Sequence, residues 1–370
     1  MTAACKRLAR YIHARGLTAG DTLPPQEELC RELGFCHNTL SPAMRLLVDM
    51  GLITRRTNHG TEIRSLEPLA CLPWTVGVVG LASEGPDSNV FYADLLHRIL
   101  STLARTQCLC RTYFRLPRDL SHWPENRLAD YPHLDQDIRE ERIDGIVALT
   151  NLSIEEQTVL LDRHNLPVCH VGSWESMPSA VLLDASEMVR HAYGLIRKTG
   201  CRRLLLVDTL GSLTDSCPTA VLRQTAAVDG GPVCETITIT ATHDIGREIA
   251  AHLLSRPPDR RPAGVIVTDD YVAMGMVAAF AEAGGYHPLT AVLTSPQIPL
   301  HFALPVYRYE LDVDVLVAEA CAMLLRRLLN PGAPQEVRHC GARPVLRPEG
   351  LSAPGGRRLL RSQAMEFLTV

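Results

Sequence analysis

Residues able to do chemistry are thinly scattered along this 370-residue chain. Its twelve cysteines stand singly except for Cys108-Leu109-Cys110, and no CxxC occurs. Isolated cysteines in a reducing compartment are ordinarily small buried hydrophobes, so neither a disulfide framework nor a zinc site is expected. Cys30, Cys36 and His37 lie close together but lack a fourth ligand at a zinc-finger spacing. His170 and His191 are isolated on apolar or helical segments, where a histidine ordinarily serves the fold or the surface. The chain has no phosphate-binding loop, dinucleotide fingerprint, GxSxG elbow or HExxH pair. Catalysis is therefore not expected, and neither is a cofactor or metal. What remains is charge: the net −4 of the chain divides into +3 over residues 1–66 and −7 over the rest. A mildly basic module on an acidic body suits a protein that touches phosphates at one end only.

Those charges must be carried by elements that the apolar spacing makes visible. Residues 3–15 place Leu8, Tyr11 and Ile12 on one helical face and stop before Gly16. The turn GLTAGDTLPP follows, and Pro25 can open a second helix that buries Leu29 and Leu33 and ends at Gly34. A third helix carries Leu40, Met44, Leu47 and Val48 and terminates at Gly51. Pro42 lacks a backbone donor, which a helix tolerates only in or just beyond its first turn. The string LITRRTNHGTEI then reads as two short strands around a turn. Helix, helix, turn, helix, hairpin is the winged helix-turn-helix plan, in which the third helix enters the DNA major groove and the hairpin lies along the backbone or minor groove.

The string GDTLPPQEELCRELGFCHNTLSPAMRLLVDMGLITRRTNHGTEI resembles the gluconate-repressor (GntR) family. The match lies in its Gly-Asp-x-Leu-Pro turn, Glu-Leu helix, Thr39-Leu40 recognition helix and Gly60-Thr61 wing, over about the first 65 residues. Three family arginines are replaced: His37 precedes the recognition helix, Ser41 follows the Thr-Leu pair, and Glu27 stands in the second helix. The resemblance implies DNA contacts through His37, Asn38, Thr39, Ser41, Arg45, Arg55, Arg56 and the wing residues Asn58, His59, Gly60 and Thr61, with altered sequence preference or weaker affinity. Residues 1–66 form this reader, and the proline-bearing stretch 67–74 is a linker.

Beyond it, TVGVVGL (75–81), DGIVAL (144–149), PVCHVG (167–172), RLLLVD (203–208), AGVIVT (263–268) and AVLTS (291–295) are short, nearly continuous apolar runs. Amphipathic stretches at 92–106, 186–199, 244–255 and 271–284 lie between several of them. Strands buried on both faces and alternating with helices imply doubly wound parallel α/β sheets, whose ligands bind beyond the carboxyl ends of the strands. About 270 residues of this pattern make two lobes with a cleft between them.

The order of TVGVVGL, IDGIVAL, LPVCHVG, VLLDASEMVRHAYGLIRKTGCRRLLLVD and GVIVTDDYVAMGMVAAFAEAG resembles the effector domain of the lactose/galactose-repressor (LacI/GalR) family, which is related to periplasmic sugar-binding proteins. That domain is expected over residues 75–349, followed by a tail at 350–370. The joined pair resembles an arabinose-repressor architecture. By this resemblance Asp269 occupies a ligand-contacting position, with Asp270 its acidic neighbour. Carboxylates accept paired hydrogen bonds from vicinal hydroxyls or bind a cationic group, and either could instead cap the helix beginning near Tyr271. Ser83, Asn89, Phe91 and Tyr92 follow the first strand, Trp174 could stack on a sugar ring or fill a lobe interface, and Arg223 matches a hydroxyl-clamping arginine. The acid expected near Thr294-Ser295 is absent.

The resulting expectation is a cytoplasmic, ligand-responsive DNA-binding regulator, more readily a repressor, acting as a homodimer on a double-stranded operator. Its effector would be a small polar molecule such as a sugar. The alternative is a DNA-binding dimer whose effector fold has lost its ligand and serves only in oligomerisation. No apolar run reaches the ~18 residues that would span a bilayer, and the N-terminus lacks the apolar core of a secretory signal.

Overall fold

The computed structural model describes residues 2–56, 60–66, 72–81, 90–115, 128–149, 154–164, 166–172, 177–209, 217–229, 231–239, 243–297, 300–330 and 332–345. The chain forms two compact units, the first from residues 1–182 and 313–340, the second from residues 183–312 and 341–370.

The first unit begins with the reader. Helix α1 (Thr2–Ala14) is followed by β1 (Thr22–Leu23), α2 (Gln26–Leu33), α3 (His37–Asp49), β2 (Ile53–Arg56) and β3 (Gly60–Ile63). The spacing that predicts three helices and a hairpin is realised within a residue or two. The dipeptide Thr22-Leu23, expected to be turn, instead adds a third antiparallel strand to the wing, which runs β1-β3-β2. Leu8, Ile12, Leu29, Leu33, Leu40, Met44, Leu47 and Ile63 are buried as one small core. Gly34 takes a left-handed backbone (φ 69°) at the end of α2, where its N–H returns to the Cys30 carbonyl. Arg7 makes this corner rigid: its guanidinium donates to the Leu33 carbonyl at 3.0 Å and lies over the Phe35 ring.

The rest of the first unit is a six-stranded sheet in the order β14-β8-β7-β6-β4-β5. Its strands are β4 (Thr75–Leu81), β5 (Leu109–Arg115), β6 (Gly145–Ala148), β7 (Val168–Gly172), β8 (Ala180–Asp184) and β14 (Val337–Gly341). From β5 through β8 every pairing is parallel. Strands β6 and β7 are buried at every residue, as their uninterrupted apolar sequence requires. Helices α4 (Val90–Arg105), α5 (Pro132–Arg139), α6 (Ile154–His164) and α11 (Val313–Leu329) accompany this sheet. Helix α11 returns from late in the chain and packs on α4, β6 and β7. His170, fully buried in β7, is held neutral by that burial, which pushes its pKa down to about 4.

The second unit has the order β10-β9-β11-β12-β13-β15. Strands β9 (Arg203–Asp208), β10 (Val233–Thr238), β11 (Gly264–Val267), β12 (Leu289–Thr294) and β13 (Tyr307–Glu310) are parallel, and β15 (Arg343–Pro344) closes the edge antiparallel to β13. Helices α7 (Ser186–Lys198), α8 (Pro218–Asp229), α9 (His243–Ser255) and α10 (Asp270–Ala283) connect the strands. The fold is therefore α/β as expected: a winged helix-turn-helix and two doubly wound, parallel-sheet lobes. In the second lobe Leu205, Val207, Val265, Val267 and Val292 of the sheet bury against Ile249, Leu253, Met276 and Phe280 of α9 and α10. Those two helices approach closely because Gly246 has no side chain; a Cβ there would sit 2.2 Å from the Val272 carbonyl oxygen. His191 on α7 is engaged through Nδ1 with the Tyr309 hydroxyl at 2.8 Å.

Candidate DNA interface and effector site

In α3 the buried residues Leu40, Ala43, Met44 and Leu47 define one face. At 3.6 residues per turn Asn38, Ser41 and Arg45 fall together away from that face, while His37, seven residues before Met44, shares the side of Met44 and is exposed only because it begins the helix. His37, Asn38 and Arg45 are exposed, and Thr39 and Ser41 half-exposed. His37 is the first residue of the helix, so the polar face begins at the helix end that a helix-turn-helix directs at base edges. Cys36 and Thr39 close this end, sulfur to hydroxyl, at 3.3 Å. Pro42 is the sixth residue of α3, and the helix continues through it to Asp49.

The wing brings a second set. Arg55 is exposed on β2, and Gly60 (φ 83°) and Thr61 open β3. Arg56 pairs in the ladder opposite Gly60. Asn58 and His59 lie outside the described residues. Gln26, the first residue of α2, was not singled out by sequence, yet it joins the two sets. Its amide nitrogen donates to the Ser41 hydroxyl at 2.7 Å, and its amide oxygen accepts from Arg55 Nη2 at 3.0 Å.

The reader is held to its neighbouring lobe by the opposite side of α1. Trp74, read from sequence as the end of a linker, is completely buried, with Lys6 Nζ 5.5 Å and Arg10 Cζ 5.4 Å from its ring centroid. Lys6 also pairs with Asp144 at 2.5 Å, and Asp144 accepts the Thr75 N–H at 2.8 Å at the start of β4. Arg10 Nε donates to the Leu328 carbonyl of α11 at 2.9 Å.

In the second lobe, the carboxyl end of the parallel sheet gathers polar groups where such folds bind ligands. Asp208 ends β9 and accepts the Thr219 hydroxyl of α8 at 2.8 Å. The Thr268 hydroxyl, just beyond β11, accepts the Thr209 N–H at 2.8 Å and so ties two strand ends together. Asp269 and Asp270 come next, and the capping alternative holds for Asp269. Asp269 caps α10, its Oδ1 accepting the Val272 N–H at 2.9 Å. Burial raises the pKa of Asp269 despite this bond. Asp270 is pushed up to about 7, first by burial and then by the neighbouring Asp269 charge. Thr294 and Ser295, where the resemblance implies an acid, are buried at the end of β12.

Asp270 therefore makes stability depend on pH with a definite sign. Between its ordinary 3.8 and about 7 the unfolded chain has released this proton while the folded chain retains it, so stability falls as pH rises through that window and levels off above it. Asp270→Asn is expected to flatten much of this fall in denaturant unfolding measured across the same range. An unaltered profile would assign the dependence to other groups.

Phe91 and Tyr92 form an edge-to-face pair at 5.5 Å in the first turn of α4, after the carboxyl end of β4 in the first lobe. Arg223 is exposed on α8 of the second lobe. Ser83, Asn89 and Trp174, like the tail 350–370, lie outside the described residues. Among the described residues, no group of three or more His, Cys, Asp or Glu is arranged to hold a metal ion, and no helix is long and apolar enough to cross a membrane.

The chain is a winged helix-turn-helix followed by two parallel-sheet α/β lobes. Residues 2–63 match the family model for bacterial regulatory proteins of the gntR family. The larger part has the fold of LacI-family regulators. It is similar to a LacI family transcriptional regulator from Enterococcus faecium with bound ribose (17% identity, 74% of this chain and 97% of that one, TM-score 0.57). It is similar also to the Cra transcriptional dual regulator from Pseudomonas putida in complex with fructose 1-phosphate (16%, 73% and 97%, 0.56). A third similar structure is a regulatory protein of LacI family from Chloroflexus aggregans (17%, 75% and 98%, 0.58). A comparison with curated proteins found no match. The chain thus couples a gntR-type reader to a LacI-type fold.

Proposed function

We propose that this protein is a non-catalytic, ligand-responsive transcription regulator of the cytoplasm that binds double-stranded operator DNA as a homodimer. The observation that carries the reading is the polar face of α3, with Asn38, Ser41 and Arg45 opposite a fully apolar buried face and His37 exposed at the helix start, inside a segment matched by the gntR model. A dimer would present two such helices to a pseudo-palindromic site, with half-site spacing set by dimer geometry. The effector is a small polar molecule. Asp269 and Asp270 would hold its hydroxyl or ammonium donors, with Arg223 of the same lobe a further candidate contact. Structural neighbours have been captured with ribose and with fructose 1-phosphate, which makes sugars the first molecules to try. Ligand would act by favouring one conformation over another, and a decisive shift between the two needs about 5.5 kcal/mol of differential affinity.

The test is binding of labelled DNA from the upstream region of the protein's own gene, in a salt series, against scrambled competitor and with and without sugars. A specific shift altered by a sugar supports the full reading. Specific binding indifferent to every molecule that demonstrably binds the protein would leave the second domain a role in oligomerisation only. The positions on α3 divide the expected effects. Asn38, near the helix start, faces base edges, and Asn38→Ala should cost roughly 1–3 kcal/mol and relax sequence preference. Arg45, two turns further on, suits a phosphate. Arg45→Ala should weaken all duplexes alike and reduce the salt slope by about one.

A further inference from the structure

Resting on the DNA-binding reading above, we propose that Gln26 is a positioning residue that sets how the reader meets DNA, by fixing Ser41 of the recognition helix and Arg55 of the wing in one hydrogen-bonded unit. Three elements meet at this side chain: α2 supplies it, α3 supplies Ser41, and β2 supplies Arg55. The amide uses its two ends differently, the NH2 toward a hydroxyl and the oxygen toward a guanidinium, so its orientation is determined. Reversal would set two donors against each other.

The arrangement decides what each partner offers to DNA. Ser41 accepts from Gln26 with one lone pair, which leaves its O–H free to donate to a phosphate oxygen or to an acceptor on a base edge. Arg55 Nη2 also rests 3.1 Å from the sulfur of buried Met44, which places the guanidinium beside the recognition helix. Because the group that holds it is a neutral amide, the positive charge of Arg55 is oriented without being cancelled. A carboxylate in the same place would orient and cancel at once. The neighbouring acids Glu27 and Glu28 are exposed in the first turn of α2. Three hydrogen-bonding residues separated by 15 and 29 positions therefore act as one surface.

The experiment compares Gln26→Ala, Gln26→Glu, Arg55→Ala and the double variant Gln26→Ala/Arg55→Ala in operator binding across a salt series, each first checked for an unchanged thermal transition. Gln26→Ala is expected to weaken operator binding about tenfold, the lower end of the range for a hydrogen bond to a charged group, and to have little further effect once Arg55 is alanine. Gln26→Glu is expected to lower the salt slope by about one, because Arg55 becomes an internal ion pair. A purely structural role would predict a lowered thermal transition with an unchanged salt slope. Independent, additive losses for Gln26→Ala and Arg55→Ala, or a wild-type slope in Gln26→Glu, overturn the proposal while leaving the DNA-binding reading intact. Failure of the unmodified protein to bind any duplex overturns both.

Discussion

Trp74→Ala is expected to destabilise the first unit by about 3–5 kcal/mol, the range for removing a fully buried large aromatic, and to loosen the reader from its lobe at the same time. The two effects come from one side chain. The indole fills the space behind α1, and its faces attract Lys6 and Arg10, which an alanine cannot do. Lys6 would keep Asp144, but the pair is now poorly exposed, with 13% and 18% of the two side chains reaching solvent. Opening the cavity admits water to it and weakens the attraction. Two measurements check this. Urea unfolding followed by circular dichroism should show the midpoint fall, and proteolysis between residues 64 and 75 should accelerate under native conditions. Trp74→Phe should retain part of both. An alanine variant as stable and as protease-resistant as the parent would show that the buried ring does not hold the reader.

Gly246→Ala is expected to disrupt the second unit, against the usual trend for this exchange. In a helix interior alanine is preferred to glycine by roughly 0.5–1 kcal/mol. Here the new Cβ would meet the Val272 carbonyl oxygen at 2.2 Å and the Met276 nitrogen at 3.2 Å. Both obstacles are backbone, so no rotamer change relieves them and α9 must move away from α10. Overpacking costs typically about 1–3 kcal/mol and occasionally more, and separation of these helices also opens the cluster of Ile249, Leu253, Met276 and Phe280. The damage reaches the proposed effector site, because Val272 supplies both the obstructed carbonyl and the N–H that Asp269 caps. A lowered unfolding midpoint with weakened ligand binding is the expected result. Gly194→Ala, on α7 with nothing within 4 Å of its Cβ, is the control and should stabilise modestly. Equal behaviour of the two variants would contradict the packing argument.

Legibility followed burial for six strands, although β8, buried from Ala180 to Leu182, is not among the runs that the sequence marks. The runs 75–81, 144–149, 167–172, 203–208, 263–268 and 291–295 were readable as strands because both faces of each are covered, and every one became a strand within two residues at each end. Strands β5 and β10 were missed for the complementary reason. Both are sheet edges, with Leu109 61% and Val233 58% exposed, and their mixed sequences LCRTYFR and VCETIT carry no continuous apolar signal. Thr22-Leu23 was hidden by length, since two residues become a strand only when β3 is beside them.

The candidate site was legible one residue at a time. The polar positions of α3 and the Asp269-Asp270 pair could be named from their types and neighbours, but the connections between elements could not. Gln26 carries no pattern of its own, and its role exists only because folding brings Ser41 and Arg55 to its two ends. Trp74 sat in a stretch with two prolines and looked like connector, although a tryptophan flanked by a buried strand is costly to leave in water. The signal that would have found it is the size of its apolar surface.

The inward-facing cations of α1 bear on the speed with which DNA is found. Residues 1–66 carry a surplus of only +3, and Lys6, one of its nine basic residues, is already matched by Asp144 while Arg10 is turned toward the lobe. The field that the reader projects into solvent is correspondingly shallow. Encounter with a duplex is then governed by diffusion and by fit at close range more than by electrostatic attraction from a distance, so ionic strength acts mainly on the lifetime of the complex.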